Sequence, residues 1–410
     1  MMERGPALTS EQVNEQIRAA FQPAATPPSP ANPRIGIEIE WLVLDAADPL
    51  RRVHVDEVRT AVGEQALPAE GVISFEPGGQ LELSTQAVLG PDLLVHRIRQ
   101  DTHELSRRIR EAGLRLLSLG LDPLRPPEMS EEVPRLRAIA HSLDRHGPNG
   151  RLIMSSTASL QINIDYGADP WRSFQVLSQL GPLISAMFSN SPIILGQSTG
   201  EVGRRQPIWF KIDPTRCNDV LLNDPEDWLD FALNAELLMR TDGEGIHAVL
   251  DGSTLADWLR SGHLSGYPTA VDVALHLSTL YPPVRPRGWL ELRMIDAIAD
   301  PAREVAIGLV WAMLADAETT ERFGLLADRC ELSWEQARTG LADPQVQLAA
   351  QEALTLAADR LALDGSSLTT ALTAWRDGPA AEGRTPGDEA LQRFDPSRAD
   401  LGLASPPGFE

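Results

Sequence analysis

Four runs of this chain put carboxylates and amides at alternate positions inside segments that otherwise read as β-strands. In RIGIEIEWLVLD (34–45), Gly36, Glu38 and Glu40 alternate with Ile35, Ile37, Ile39 and Trp41. ISFEPGGQLELS (73–84) carries Glu76, Gln80 and Glu82. SSTASLQINIDY (155–166) carries Gln161, Asn163 and Asp165, and WLELRMID (289–296) carries Glu291 and Arg293. Side chains alternate across a strand, so each run offers one apolar face and one acidic or amide face. One solvated sheet face would also read this way, but such faces usually mix lysine, threonine and both signs of charge. Here carboxylates dominate and the one basic member is an arginine. Carboxylates lining a cavity repel one another and resist loss of water. A hard cation such as Mg²⁺ relieves both costs, takes oxygen ligands and leaves positions for water and phosphate. Glu38 and Glu40 stand about 6–7 Å apart along an extended strand, a spacing that serves neighbouring ions more readily than one.

The elements that must aim these groups follow from pattern and punctuation. In 73–84, Pro77 removes a ladder donor, and Gly78 with Gly79 permits a bulge or a positive φ. A bulge there lets Glu76 and Glu82 face one cavity; a plain hairpin turn is the alternative. A weaker strand is expected over QPIWFKI (206–212). Helical periodicity appears near 92–112, 171–188, 225–240 and 301–318, with more helix to about 376. Residues 8–22 suit a short helix capped by Thr9 or Ser10, followed by a Pro/Ala linker to 33. Residues 34–376 are expected to form a single catalytic domain and 377–410 a loop or tail. The resulting class is α+β: a curved, mainly antiparallel sheet lining a cavity, with helices packed on its outer face.

Composition narrows the chemistry. The chain has 410 residues, 42% of them hydrophobic, and a net charge of −22. Nucleic acid and anionic membrane surfaces both need clustered cations, so neither is an expected partner. Lys211 is the only lysine, which removes the phosphate-binding loop GxxxxGK[ST]. Any phosphate must then be met by arginine, backbone amides or a metal. Cys217 and Cys330 stand far apart, without metal-finger spacing. With no apolar run long enough to span a bilayer and no signal-peptide layout, a cytoplasmic protein is expected.

The stretches GIEIEW, FEPGGQLELS, STASLQINID and HLSTLYPPVRPRGWLELRMID, in this order across roughly residues 34–300, resemble the plant-type glutamate–cysteine ligases, and within them the actinobacterial branch that supplies γ-glutamylcysteine for ergothioneine. The resemblance implies a glutamine synthetase-like carboxylate–amine ligase. ATP would phosphorylate the γ-carboxylate of L-glutamate, and the amine of L-cysteine would attack the acyl phosphate. It implies Mg²⁺ on Glu38, Glu40, Glu76, Glu82 and Glu291, with Gln80, Gln161 and Asn163 orienting metal, nucleotide or substrate. Arg285, Arg287 and Arg293 would meet phosphoryl and carboxylate groups, with Arg293, on the face of Glu291, the first choice for the γ-phosphoryl oxygens. Arg205, before QPIW, would bind the carboxylate of glutamate. His276 aligns with a family histidine, for which packing is at least as good a role as catalysis. The Pro- and Arg-rich segment 121–143 is expected as a mobile loop near the site. A ligase for a different amine shares all these motifs and stays open. A paired-carboxylate glycosidase would not need this many glutamates, and a nucleotide-binding protein without turnover is the non-enzymatic alternative.

Overall fold

The computed structural model describes residues 5–24, 32–130, 133–218, 224–242 and 244–394. Eight strands form one sheet: β1 (Arg34–Asp45), β2 (Val72–Phe75), β3 (Leu81–Ser84), β4 (Val88–Leu89), β5 (Leu114–Leu117), β6 (Ser159–Ile164), β7 (Val284–Pro286) and β8 (Leu290–Asp296). Their order is β7-β8-β6-β1-β3-β2, with β4 and β5 pairing the two ends of the long central β1. Every pairing is antiparallel. The expected antiparallel α+β class is the one observed.

The alternation read from sequence sets the two faces. Ile35, Ile37, Ile39 and Trp41 enter the main core with Leu81, Leu83, Leu160, Ile162, Ile164, Leu290 and Leu292. Each such side chain contributes about 1.5–3 kcal/mol on burial, enough to fix which face turns inward. The helix Pro91–Glu111 packs on β1 and β5, and the helix Ala302–Met313, buried along its whole length, packs on β6. On the polar side lie α1 (Pro134–Leu143), α2 (Asn149–Ser156) and α3 (Arg205–Trp209), which share a small core of Ala138, Ile139, Leu143, Ile153 and Ile208.

Several expectations change. The segment 206–212 is not a strand: α3 is a short helix whose opening amides, of Arg204 and Arg205, donate to Ser191 Oγ. A short apolar run does not distinguish strand from buried helix, and Pro207 is tolerated in a first helical turn. The strand expected from 155 begins at Ser159, because Ser155 and Thr157 hydroxyls bond back to the carbonyls of Arg151 and Ile153 at the end of α2. The segment 121–143 holds the helix α1 rather than being loop throughout. The helix expected over 225–240 ends at Asn234, and Met239 starts a small hairpin with Ile246–Ala248. The N-terminal helix is present as Ser10–Arg18, capped by Thr9. Part of the Pro/Ala linker (25–31) and residues 395–410 lie outside the described residues. Within the expected tail, Pro386–Arg393 forms a helix opened by a Thr385–Asp388 capping box, and Ala390 packs with Leu117 and Leu119.

The Pro-Gly-Gly kink is both a turn and a bulge. Gly79 N–H donates to Glu76 O (2.8 Å), Glu76 N–H donates to Gln80 O (2.9 Å), and Gly79 has φ +87°. Gly78 passes so close to α2 that a Cβ there would sit 2.1 Å from the Ser155 carbonyl oxygen.

Candidate active site

The polar sheet face and the three helices α1–α3 enclose a cavity of about 260 Å³. Register decides which polar residues meet. Glu40 on β1 lies opposite Glu82 on β3, and Glu38 lies opposite Gln161 on β6. Glu76 joins them from the hairpin turn. Glu40, Glu76 and Glu82 each bring a carboxylate oxygen within 4.8 Å of the other two.

Their electrostatics favour a cation. Burial, followed by the charge of Glu82, pushes the Glu40 carboxyl up to about 7. Burial, the charges of Glu40 and Glu82 and a hydrogen bond shared with Glu82 hold Glu76 well above the usual range. Glu38 is also raised, by burial and then by Glu291 and Glu82. Oxygen ligands crowded in this way fit a hard divalent ion such as Mg²⁺. A second cluster, His146, Asp213 and Glu236, has the spacing but not the need: Arg216 bonds Asp213 (2.6 Å) and Arg145 bonds Glu236 (2.9 Å).

Amides join the carboxylates to the arginines. Gln161 Nε2 donates to Glu40 Oε1 (2.9 Å) while its Oε1 accepts from Arg293 Nη1 (2.7 Å). Asn163 Nδ2 donates to Glu38 Oε1 (3.0 Å) and its Oδ1 accepts from Trp289 Nε1 (2.8 Å). Ser159 N–H donates to Glu40 Oε2 (2.8 Å). β8 bulges between Leu292 and Ile295, and there Arg293 turns into the cavity. Its guanidinium lies 5.5 Å from the Tyr281 ring centre, 5.7 Å from that of Trp209, and 3.5 Å from Glu291.

Four residues expected to touch ligands are engaged elsewhere. Glu291 is surrounded by Arg285, Arg287 and Arg293; burial alone would raise its carboxyl, but these three charges hold it at about 2. Its charge is therefore compensated by arginine, apart from the Glu40–Glu76–Glu82 cluster. Arg285 spends its Nε and Nη2 on Glu291 and its Nη1 on the carbonyls of Ser278 and Leu280. Gln80 accepts from Gly78 N–H and donates to Thr157 O, fastening the turn to the end of α2. Arg205 bonds Asp296 through Nε and the carbonyls of Arg293 and Ile295 through Nη2, bracing the β8 bulge. Of the arginines expected at the site, Arg287, half-exposed over the Trp289 ring, and Arg293 remain open to a phosphoryl group.

His276 is buried and donates through Nε2 to Ala232 O (2.7 Å), and burial lowers it to about 4, which fits packing rather than proton transfer. Cys217 is buried, which raises its thiol well out of the reactive range. Arg135, Trp209 and Tyr281 line the cavity and had not been singled out. Tyr281 lay within the quoted HLSTLYPPVR stretch; Trp209 and Arg135 sat in segments read as strand and loop. A neighbouring cavity of about 360 Å³ shares Glu38 and is lined by Gly36, Thr85, Asn163 and Trp289.

The profile of glutamate–cysteine ligase family 2 matches residues 34–401. The chain belongs to this family. Among curated members of glutamate–cysteine ligase type, EgtA of Mycolicibacterium smegmatis is 34% identical over 339 residues, covering 80% of this chain and 80% of that protein. The chloroplastic glutamate–cysteine ligase of Medicago truncatula is 28% identical over 403 residues, covering 88% and 78%. The fold is shared with the glutamate–cysteine ligase of Francisella tularensis in complex with AMP, at a TM-score of 0.54 and 13% identity, over 88% of this chain and 84% of that one. Within this glutamate–cysteine ligase family fold, no helix of the described residues is long and apolar enough to cross a membrane.

Proposed function

We propose that the protein joins the γ-carboxylate of L-glutamate to the amine of L-cysteine at the expense of ATP, giving γ-glutamylcysteine, ADP and phosphate. The observation that carries this reading is one cavity in which a three-carboxylate cluster faces Arg293 and Arg287 across the sheet. Family membership and the glutamate–cysteine ligase relatives support the same assignment. The adjoining cavity at Asn163 and Trp289 suits the nucleotide, with Glu38 at the junction of the two. Residence in the cytoplasm, and delivery of the product to ergothioneine assembly, belong to this proposal and rest on the resemblance to bacterial EgtA.

Glu40, Glu76 and Glu82 would hold Mg²⁺, with Glu38 flanking them, while Glu291 would hold the arginines in place. The ion supplies charge stabilisation to phosphoryl oxygens. The remaining work falls to this chain's side chains. A γ-carboxylate oxygen of glutamate attacks the terminal phosphorus of ATP, and the bond to the bridging oxygen breaks, releasing ADP. Arg293, held by Gln161 and sandwiched near Tyr281 and Trp209, is fixed before substrate arrives, so its charge meets the transferring oxygens without reorganisation. The amine nitrogen then attacks the acyl carbon, orthophosphate departs with its bridging oxygen, and the nitrogen loses a proton. Positioning and electrostatics dominate such a transfer, consistent with the neutral, buried His276 taking no part.

The test is ADP release by purified protein with ATP, Mg²⁺ and L-glutamate, with and without L-cysteine, and mass detection of the product. ADP formation that needs both amino acids, with γ-glutamylcysteine as product, is expected. Product only with another amine would keep the ligase and change the acceptor. No turnover with any amine would overturn the function.

A further inference from the structure

The ligase reading leaves open how the amine acceptor is recognised. Among the arginines lining the cavity, Arg205 is paired with Asp296, and Arg285, Arg287 and Arg293 face Glu291. Arg135, in the first turn of α1, is different. It has no carboxylate partner among the described residues; its Nη2 donates to Ser278 Oγ at 3.1 Å, and its Nε is buried without a partner. Beside it the cavity wall turns apolar, with Leu136 and Ile139 of α1 facing Ile153 and Met154 of α2. The opposite wall is the carboxylate-bearing sheet.

A guanidinium without a counter-ion among the described residues, next to an apolar wall, suits a ligand with a carboxylate at one end and an uncharged side chain at the other. Glutamate fits that description less well: with its γ-carboxyl at the phosphoryl-transfer centre, its two methylenes are drawn toward the sheet between two charged ends, and it has no uncharged terminus to cover the wall. A small α-amino acid such as cysteine does fit: its CH₂–SH is apolar enough to be desolvated there, and its amine then faces the sheet.

We propose that Arg135 binds the α-carboxylate of the amine acceptor and that Ile139, Ile153 and Met154 form the wall against its side chain. The acceptor is thereby restricted to small α-amino acids with uncharged side chains. This assignment rests on the ligase reading above.

The experiment compares cysteine with cysteamine, which lacks the carboxylate, as acceptors for the full-length protein and for Arg135→Ala and Arg135→Lys. Thermal midpoints confirm that the variants fold. The wild type should prefer cysteine by at least about 10-fold in kcat/KM. Arg135→Ala should raise the KM for cysteine about 10- to 100-fold, the range expected for loss of a charge-assisted pair. It should leave the KM for glutamate and ATP within about twofold and remove the preference over cysteamine; Arg135→Lys should restore part of it. An unchanged preference in Arg135→Ala would overturn the assignment while leaving the ligase intact. A raised KM for glutamate in place of cysteine would also overturn it, giving Arg135 to the other substrate. If the wild type forms no γ-glutamyl product with any amine, the ligase reading fails and this assignment falls with it.

Discussion

Replacing Glu40 by glutamine should stabilise the metal-free protein at pH 8 and destabilise it at pH 5. The folded protein holds the Glu40 proton until about pH 7, whereas the unfolded chain releases it near 4.5. Between those values the folded state binds more protons, so stability falls as pH rises and the full penalty is present above 7. At roughly 1.4 kcal/mol per pH unit, that penalty is about 3 kcal/mol. Glutamine does not carry it. The substitution has its own cost, because Ser159 N–H and Gln161 Nε2 both donate to the Glu40 carboxylate and an amide can accept only one of them. One donor left without a partner costs about 1–2 kcal/mol. The net at pH 8 is a gain of about 1–2 kcal/mol, or about 1–2 °C in thermal midpoint for a chain of this length. At pH 5 the acid in the fold is neutral, its oxygens still accept, and the penalty has fallen to less than about 1 kcal/mol, so the loss outweighs it. Thermal denaturation of both proteins in EDTA at the two pH values measures the crossing. A shift of the same sign at both would refute the claim that Glu40 is a buried carboxylate awaiting a cation.

Four further outcomes follow from the same geometry. Millimolar Mg²⁺ should raise the wild-type thermal midpoint at pH 8 by about 3 °C, as about 100-fold saturation implies, and Glu76→Gln should abolish that response; an equal rise in both would move the metal elsewhere. Arg293→Lys removes the planar donor set between Gln161 and the aromatic rings and should lower kcat about 100-fold with little change in KM, measured by coupled ADP release. Gly78→Ala drives a Cβ into the Ser155 carbonyl and should cost more than about 3 kcal/mol, seen as a thermal midpoint lower by several degrees or loss of soluble protein. His276, depressed to about 4 by burial, should remain neutral to about pH 5 in side-chain NMR; because the unfolded chain protonates near 6.5, it removes stability only as pH falls below that value. Titration near 6.5 would place it in solvent.

Alternation along single segments was enough to name the carboxylates and amides of the polar face, since a period of two is a local property of the strand. Glu38, Glu40, Glu82, Gln161 and Asn163 could therefore be assigned to it from sequence, and the kink at Pro77–Gly79 announced a special backbone at Glu76. Charge compensation was not legible in the same way. That Glu40 meets Glu82 depends on register between strands far apart in the chain, and that Glu291 meets Arg285 depends on the register of the local β7–β8 hairpin. Gln80 and Arg205 were expected as ligand groups from the resemblance, Gln80 within FEPGGQLELS and Arg205 just before QPIW. Only their surroundings revealed that one fastens the turn to α2 and the other braces the bulge that aims Arg293. Arg135 lay in a segment whose proline and charge content read as loop, and packing of Ala138 and Ile139 against Ile153 and Ile208 made it a helix. The sequence by itself determined which residue types stand on the polar face, because side-chain direction repeats locally. Tertiary structure alone decided which of them are left without a partner, because a buried charge is satisfied by whatever distant group the fold brings within a few ångströms.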